Sequence, residues 1–447
     1  MAWCGWEKTS ASLFFSFLFL VIVCVTPLVE GGAFYFPQVG ARAASMGNAF
    51  VAVADDASNV FHNPAGMTQI EEAVGNYSAD IIFPVFTYKR EANDQVYATE
   101  YQQLRVMTPF YLGFVSPSKD YEYTSGFAFY DAWGGLPMWR KEASSRYILK
   151  HMFLIVLHGT YSMAYPLTKS FSIGGGLSLI YCYMQQNKSL DFQDLAGKEA
   201  EEDYYNEMDI LMTGDTFGFG GNIGCLYKPT ENLSFGLTYT PQVDLNFDAE
   251  MKSTTPFLMS ALMDEMTLKA KVTMYLPHNV RGGFAFRISE RLLAAFDVTW
   301  VNWDVSKDTN VNFDEGEFFI KERDHIAIPR YWQDSMTYSV GLEYNFDKWN
   351  IPVLRCGYTY DEWAIPEYTM MIDNPDANKH NFSFGGSYIY DKKVTIDFGY
   401  EVRFYDDRHV TNSVYTSDDP AIVGGVANGY YKEMIHALYI GVRMLQE

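Results

Sequence analysis

The chain has 447 residues, of which 17% are aromatic and 20% charged, and 33 Lys and Arg against 55 Asp and Glu leave a net charge of −22. So acidic a balance excludes a nucleic-acid binder, which needs clustered cations to meet phosphates. A mean hydropathy near zero excludes a bundle of membrane-spanning helices. The acidic excess reads as loop solvation; divalent-cation sites in those loops are the alternative.

The N-terminus has the layout of an export signal. Lys8 gives a thin positive region beside Glu7, and an apolar run follows from Ala11 to Val25, ahead of Thr26-Pro27. That run is short for a bilayer span and suits a signal core, with Gly31, Gly32 and Ala33 offering a cleavage region. Residues 1–32 are therefore expected to be a signal peptide. An N-terminal anchor is one alternative. Lipidation at Cys24 is another, although Val23 is bulky for the position before a lipidated cysteine. No later apolar run reaches a spanning length. Cys4 and Cys24 would leave with the signal. Cys182, Cys225 and Cys356 form no metal or redox spacing, so no structural disulfide is expected.

Residues 33–72 show no alternation and are rich in small side chains, as in Gly40-Ala41-Arg42-Ala43-Ala44-Ser45-Met46-Gly47. Asp55 or Asp56 is suited to capping a short helix. Asn63-Pro64 favours an extended or turning backbone, and Gly66 permits a change of direction. A compact segment of this kind fits inside a barrel as a plug. A simple periplasmic lead-in to the first strand is the alternative.

From residue 73 to 447 the pattern has a period of two. Val394, Ile396, Phe398, Tyr400, Val402 and Phe404 share one face, opposite Thr395, Asp397, Gly399, Glu401 and Arg403. Met336 to Phe346 and Leu233 to Tyr239 alternate likewise. A soluble sandwich also alternates. Here, however, the apolar faces are unusually aromatic, charges stand mid-strand on the opposite face, and connections alternate short and long. Short ones include Pro229–Asn232 and Asp391–Lys393; long ones include Gln186–Gly214 and Asp407–Tyr431.

Strands are predicted near 73–90, 102–116, 122–132, 150–164, 171–185, 215–228, 233–247, 269–287, 292–304, 335–346, 351–360, 380–390, 394–406 and 432–445. The fold class is thus all-β: a 14-stranded antiparallel transmembrane β-barrel, an even number as closure requires, with an N-terminal plug. Pro277 should bend or bulge its strand, because proline removes a ladder donor.

Enzyme signatures are missing: there is no G-x-S-x-G, no H-E-x-x-H and no P-loop. The eight His are dispersed, so neither a catalytic group, a metal nor a cofactor is expected. One long loop has apolar character. Thr255-Pro256 reads as a helix start, after which Leu258, Met259, Leu262, Met263 and Met266 share a face. That face either meets apolar ligands or packs on neighbouring loops.

The run from Gly40 to Met67, with Asp55-Asp56-Ala57-Ser58 and then Asn63-Pro64-Ala65-Gly66, resembles the start of the FadL-type family of outer-membrane transporters of long-chain fatty acids and other hydrophobic compounds. Leu276-Pro277-His278-Asn279-Val280 with Asp297-Val298-Thr299-Trp300, and Glu343-Tyr344 with Leu354-Arg355-Cys356-Gly357-Tyr358, extend the resemblance over the mature chain. The C-terminus, Met444-Leu445-Gln446-Glu447, departs from the family's usual aromatic ending.

The resemblance implies passive uptake at the bacterial outer membrane. Asn63, Pro64, Ala65 and Gly66 would be hatch residues. Phe257, Leu258, Leu262 and Met263 would line an outer hydrophobic groove. Gly126, in the third strand, would mark an inward kink that opens a side exit. The implied partners are a long-chain fatty acid or other hydrophobic small molecule and outer-membrane lipid, around a monomer. Burial gains about 0.8 kcal/mol per methylene, so successive apolar pockets can move such a ligand without ATP. A barrel of this type without a transport role, acting as an assembly partner or adhesin, is the second reading. A lipid hydrolase lacks a nucleophile motif.

Overall fold

The structure is a computed structural model. It describes residues 34–92, 95–103, 106–191, 207–254, 266–313, 325–346, 352–415 and 427–445. The expected signal peptide and the groove residues Phe257, Leu258, Leu262 and Met263 lie outside the described residues.

Fourteen wall strands form a closed antiparallel barrel. They are β1 (Val74–Ala92), β2 (Phe110–Pro117), β3 (Thr124–Gly135), β4 (His151–Pro166), β5 (Phe171–Asp191) and β6 (Glu207–Thr230). Next come β7, in two pieces (Leu233–Thr240 and Val243–Ser253), and β8, also in two (Met266–Leu276 and Asn279–Ser289). The rest are β9 (Leu292–Val301), β10 (Ser335–Asn345), β11 (Val353–Asp361), β12 (Lys379–Ile389), β13 (Val394–Tyr405) and β14 (Gly429–Leu445). Sequence neighbours pair throughout. β14 closes the ring on β1, from Val74↔Leu445 to Arg90↔Gly429. Closure leaves no free sheet edge, which lipid demands because it offers no hydrogen-bond partner.

The alternation sorts side chains as expected. Leu177 is 80% exposed and Phe219 82% on the outer wall, whereas Asp397, Glu401 and Arg403 are buried inside. Prolines interrupt two strands: β8 breaks at Pro277-His278 as expected, and β7 breaks at Pro241-Gln242. Several predicted limits were wrong. The β5–β6 hairpin runs on to Asp191↔Glu207, beyond the expected ends at 185 and 215. Past the membrane, backbone pairing sustains strands that hydrophobic alternation does not mark. Conversely, β2 starts at Phe110 rather than near 102, because its partner β3 bends away above Tyr111↔Tyr130.

Candidate functional site

Residues 34–70 fill the lumen and are almost wholly buried. Two short helices, α1 (Ala41–Ala44) and α2 (Asn59–His62), and a 3-10 turn, Pro64–Gln69, shape this hatch. Asn63 takes an extended conformation (φ −162°, ψ 103°) and caps the turn, its Oδ1 accepting from the Ala65 N–H at 3.1 Å. Its Nδ2 donates to the Val51 carbonyl at 2.9 Å and to the Cys225 carbonyl of β6 at 3.0 Å. One side chain thus ties three backbone segments, as only an amide with both donors and an acceptor can. Pro64 sits at the first position of the turn, where its lost N–H costs nothing. Gly66 serves close packing rather than a change of direction: a Cβ there would lie 2.3 Å from the Ala54 carbonyl oxygen. Asp56 does not cap α2 directly; it accepts from the Ser58 N–H at 2.9 Å, one turn ahead.

The wall receives the hatch through small residues. A Cβ at Gly174, Gly224, Gly236, Gly341 or Gly357 would meet a hatch atom at 2.2–2.5 Å. Wall side chains then satisfy the hatch backbone. Asn222 and Arg281 donate to the Val60 and Phe61 carbonyls at 2.9 and 2.7 Å, and Ser234 donates to that of Ala52 at 2.8 Å. The Asp297 carboxylate accepts from the Phe50 and Val51 N–H groups at 2.7 and 2.8 Å.

Against β10–β14 the contact is ionic. Arg42 of α1 reaches Asp55 at 2.5 Å and Glu343 at 2.8 Å. Glu343 also takes Arg355 at 2.7 Å, Arg355 takes Asp397 at 3.1 Å, and Asp397 takes Arg443 at 2.5 Å. The chain of alternating charges runs from hatch to wall, with most members buried. In water such pairs contribute little, but in a sealed lumen each partner prevents a costly unpaired charge.

On the opposite side β3 leaves the wall. Its ladder with β4 slips between Asp131 and Trp133, and every residue from Tyr130 to Pro137 is buried. Two groups compensate for the lost pairing. The N-terminal segment adds itself to the bent strand, with the Phe36 N–H donating to Ala132 at 2.7 Å and the Gly134 N–H to Phe34 at 3.1 Å. The Asp131 carboxylate accepts from the Phe110 N–H of β2 at 2.8 Å. Gly126 is not this irregularity. Its ladder is regular on both sides, and a Cβ there would meet Met67 and Val60 of the hatch at 2.9 Å. Glycine alone does not reveal a bend; the signal that could have found it is the run Phe129-Tyr130-Asp131-Ala132-Trp133, where alternation fails because Asp131 falls on the outward-facing register.

Behind the bend lies a cavity of about 40 Å³ lined by Tyr35, Phe61, Tyr130, Trp133 and Arg281, among others. Tyr35 packs on Trp133 at 4.3 Å between ring centroids. Arg281 of β8 is buried and lies over the Phe61 ring at 4.6 Å. Among the described residues no carboxylate comes within ion-pair distance of it, and its Nε has no hydrogen-bond partner. In the adjoining polar pocket His62 binds the Val39 carbonyl at 2.7 Å through Nε2. Burial, and then the Arg281 charge, push the His62 pKa down to about 3, so the ring is neutral. Sequence reading missed Arg42, His62, Arg281 and Glu343 as site residues.

A closed, lipid-facing barrel whose lumen is plugged by its own N-terminal segment defines an outer-membrane transport protein. Residues 22–434 match the family model of outer membrane protein transport proteins (OMPP1/FadL/TodX), and the chain belongs to that family. It is 24% identical over 373 residues to the long-chain fatty acid transport protein of Escherichia coli O6:H1, covering 78% of this chain and 81% of the relative. It is 24% identical over 259 residues to outer membrane protein P1 of Haemophilus influenzae, covering 54% and 53%. Among solved structures, a FadL homologue of Pseudomonas aeruginosa superposes with TM-score 0.79 at 16% identity, covering 92% of this chain and 99% of that one. The toluene transporter TodX of Pseudomonas putida gives TM-score 0.70 at 17% identity, covering 91% and 98%.

Proposed function

We propose that the barrel carries long-chain fatty acids passively across the outer membrane. The outer groove, containing Phe257, Leu258, Leu262 and Met263, captures the chain. The hatch around Asn63, Pro64, Ala65 and Gly66 gates the lumen, and the ligand leaves sideways where β3 bends from β2. Tyr35 and Trp133 close the inner cavity, so their displacement admits the ligand.

Arg281 is the observation that carries the choice of ligand. A buried guanidinium without a carboxylate is costly, and a ligand carboxylate would supply the missing charge while its tail meets the aromatic lining. A neutral hydrocarbon would leave that charge unmatched. The test is uptake by cells expressing Arg281→Gln, which keeps a donor toward Phe61. Hydrogen bonds to charged groups are worth about 1.5–3 kcal/mol, so fatty-acid uptake should fall about tenfold or more. Uptake of neutral toluene should be unchanged. An equal fall for both compounds would place Arg281 in hatch support alone, and unchanged fatty-acid uptake would refute the carboxylate role.

A further inference from the structure

Three histidines on the outer wall share one arrangement. The Tyr239 hydroxyl bonds His278 Nδ1 at 2.7 Å, that of Tyr358 bonds His380 Nδ1 at 2.8 Å, and that of Tyr400 bonds His436 Nδ1 at 2.7 Å. Each of these residues lies on the lipid-facing side of its strand, since the neighbouring Asn279, Lys379, Asn381, Ile435 and Ala437 are buried inside. At His278 the chemistry of the ring is fixed. Its Nδ1 also takes the Gln242 backbone N–H at 3.2 Å, and an N–H can only donate. Nδ1 is therefore the acceptor and Nε2 holds the proton. Nε2 finds no acceptor among the described residues at any of the three sites.

The three pairs also share a level. Measured along the strand, His278, His380 and His436 stand about 30–36 Å from the periplasmic ends at Ser289, Ile389 and Leu445, at about 3.3 Å per residue. A strand tilt of about 40° turns this into a height of about 25 Å, the thickness of the apolar band of an outer-membrane barrel. Below them the wall is greasy, with Phe284, Phe384 and Leu438 exposed to lipid. The long connections emerge above. The rings thus lie where acyl chains give way to outer-leaflet headgroups.

We infer that His278, His380 and His436 form a belt that binds the phosphates of outer-leaflet lipid headgroups through Nε2–H. The tyrosines position the rings, and the apolar wall below holds the acyl chains. A purely aromatic interfacial girdle would need no donor at these points.

The experiment compares wild-type barrel, the triple variant His278→Phe/His380→Phe/His436→Phe and the triple variant to Gln. All are placed in nanodiscs containing either phosphate-bearing outer-membrane glycolipid or a neutral glycolipid with the same acyl chains. Native mass spectrometry then counts the lipids retained per barrel on release. Wild type should retain the phosphate-bearing lipid about tenfold over the Phe variant, the equivalent of about 1.4 kcal/mol. The Gln variant, which keeps outward N–H donors, should recover most of that retention. Equal retention by wild type and the Phe variant overturns the inference, as does equal retention of the neutral lipid by wild type. If the Phe variant does not fold, the Gln variant against single His→Phe variants gives the same comparison.

Discussion

The hatch is held differently on its two sides, and the difference ranks the two holds. Toward β10–β14 it is gripped by charge: Arg42 sits between Asp55 and Glu343, and the pairing continues through Arg355 and Asp397 to Arg443. Toward β3–β8 it is held by neutral amides and one backbone-seeking guanidinium, while close glycine contacts occur on both sides. Breaking the first side exposes several unpaired charges at once, whereas the second is lost one hydrogen bond at a time. The ionic side is therefore the anchor. The β3–β8 side, next to the inward bend and the aromatic cavity, has the weaker hold.

Arg42→Met tests the anchor and should have the largest effect. It leaves Asp55, Asp56 and Glu343 facing one another across the hatch–wall boundary, and removing one partner of a buried ion network costs about 3–5 kcal/mol. Hydrogen exchange should accelerate at residues 41–50 while the wall ladders stay protected. If exchange there stays at the wild-type rate, the ionic anchor is not what seats the hatch.

Smaller changes probe the close contacts and hydrogen bonds on either side. Gly357→Ala places a methyl 2.2 Å from the Gly47 backbone nitrogen, which no side-chain rotation relieves. Overpacking of this kind costs about 1–3 kcal/mol. A lower midpoint of hatch release in a protease-accessibility titration would register it. Asn63→Ala removes the donors to Val51 and Cys225 and the acceptor for Ala65, at about 1–3 kcal/mol. Exchange should rise around residues 51–66 and not at Arg42, and fatty-acid uptake should fall while the barrel stays folded. Faster exchange at both ends of the hatch would mean that the two sides are one cooperative unit.

The barrel was legible in the sequence because a two-residue period is a local property. Val394 to Phe404 declares its two faces without reference to any other strand. The Asn63-Pro64 cap and turn were legible because capping and turning are local as well, whereas the close packing of Gly66 on Ala54 was not. The ionic anchor was not: Arg42 and Glu343 are 301 positions apart, and only closure of the ring brings them together. Arg281 looked like one more inward polar residue of a strand, since the absence of a carboxylate in ion-pair contact with it among the described residues depends on the wall strands around it. The displaced bend, at Asp131–Trp133 rather than Gly126, has the same origin. It is set by which neighbour the strand loses, here β2 above Tyr111, and not by the flexibility of a residue within it.

The smallest effect concerns His62, buried in the polar pocket beside Arg281. Seated, it is neutral, with its pKa pushed down to about 3 by burial and by Arg281. Released toward the periplasm, its ring would titrate near the ordinary value of about 6.5. The released state then binds a proton that the seated state excludes, so seating is unaffected above about pH 6.5. Below that it weakens by at most about 1.4 kcal/mol per pH unit, down to the seated pKa. Hatch exchange measured at pH 5 and pH 7.5, corrected for intrinsic rates, should be faster at pH 5, and His62→Gln should remove most of the difference. A pH dependence of the same size in His62→Gln would move the sensor to another group. The Arg42 cluster is the natural second candidate, and the same exchange data would show it through residues 41–50 rather than 58–66.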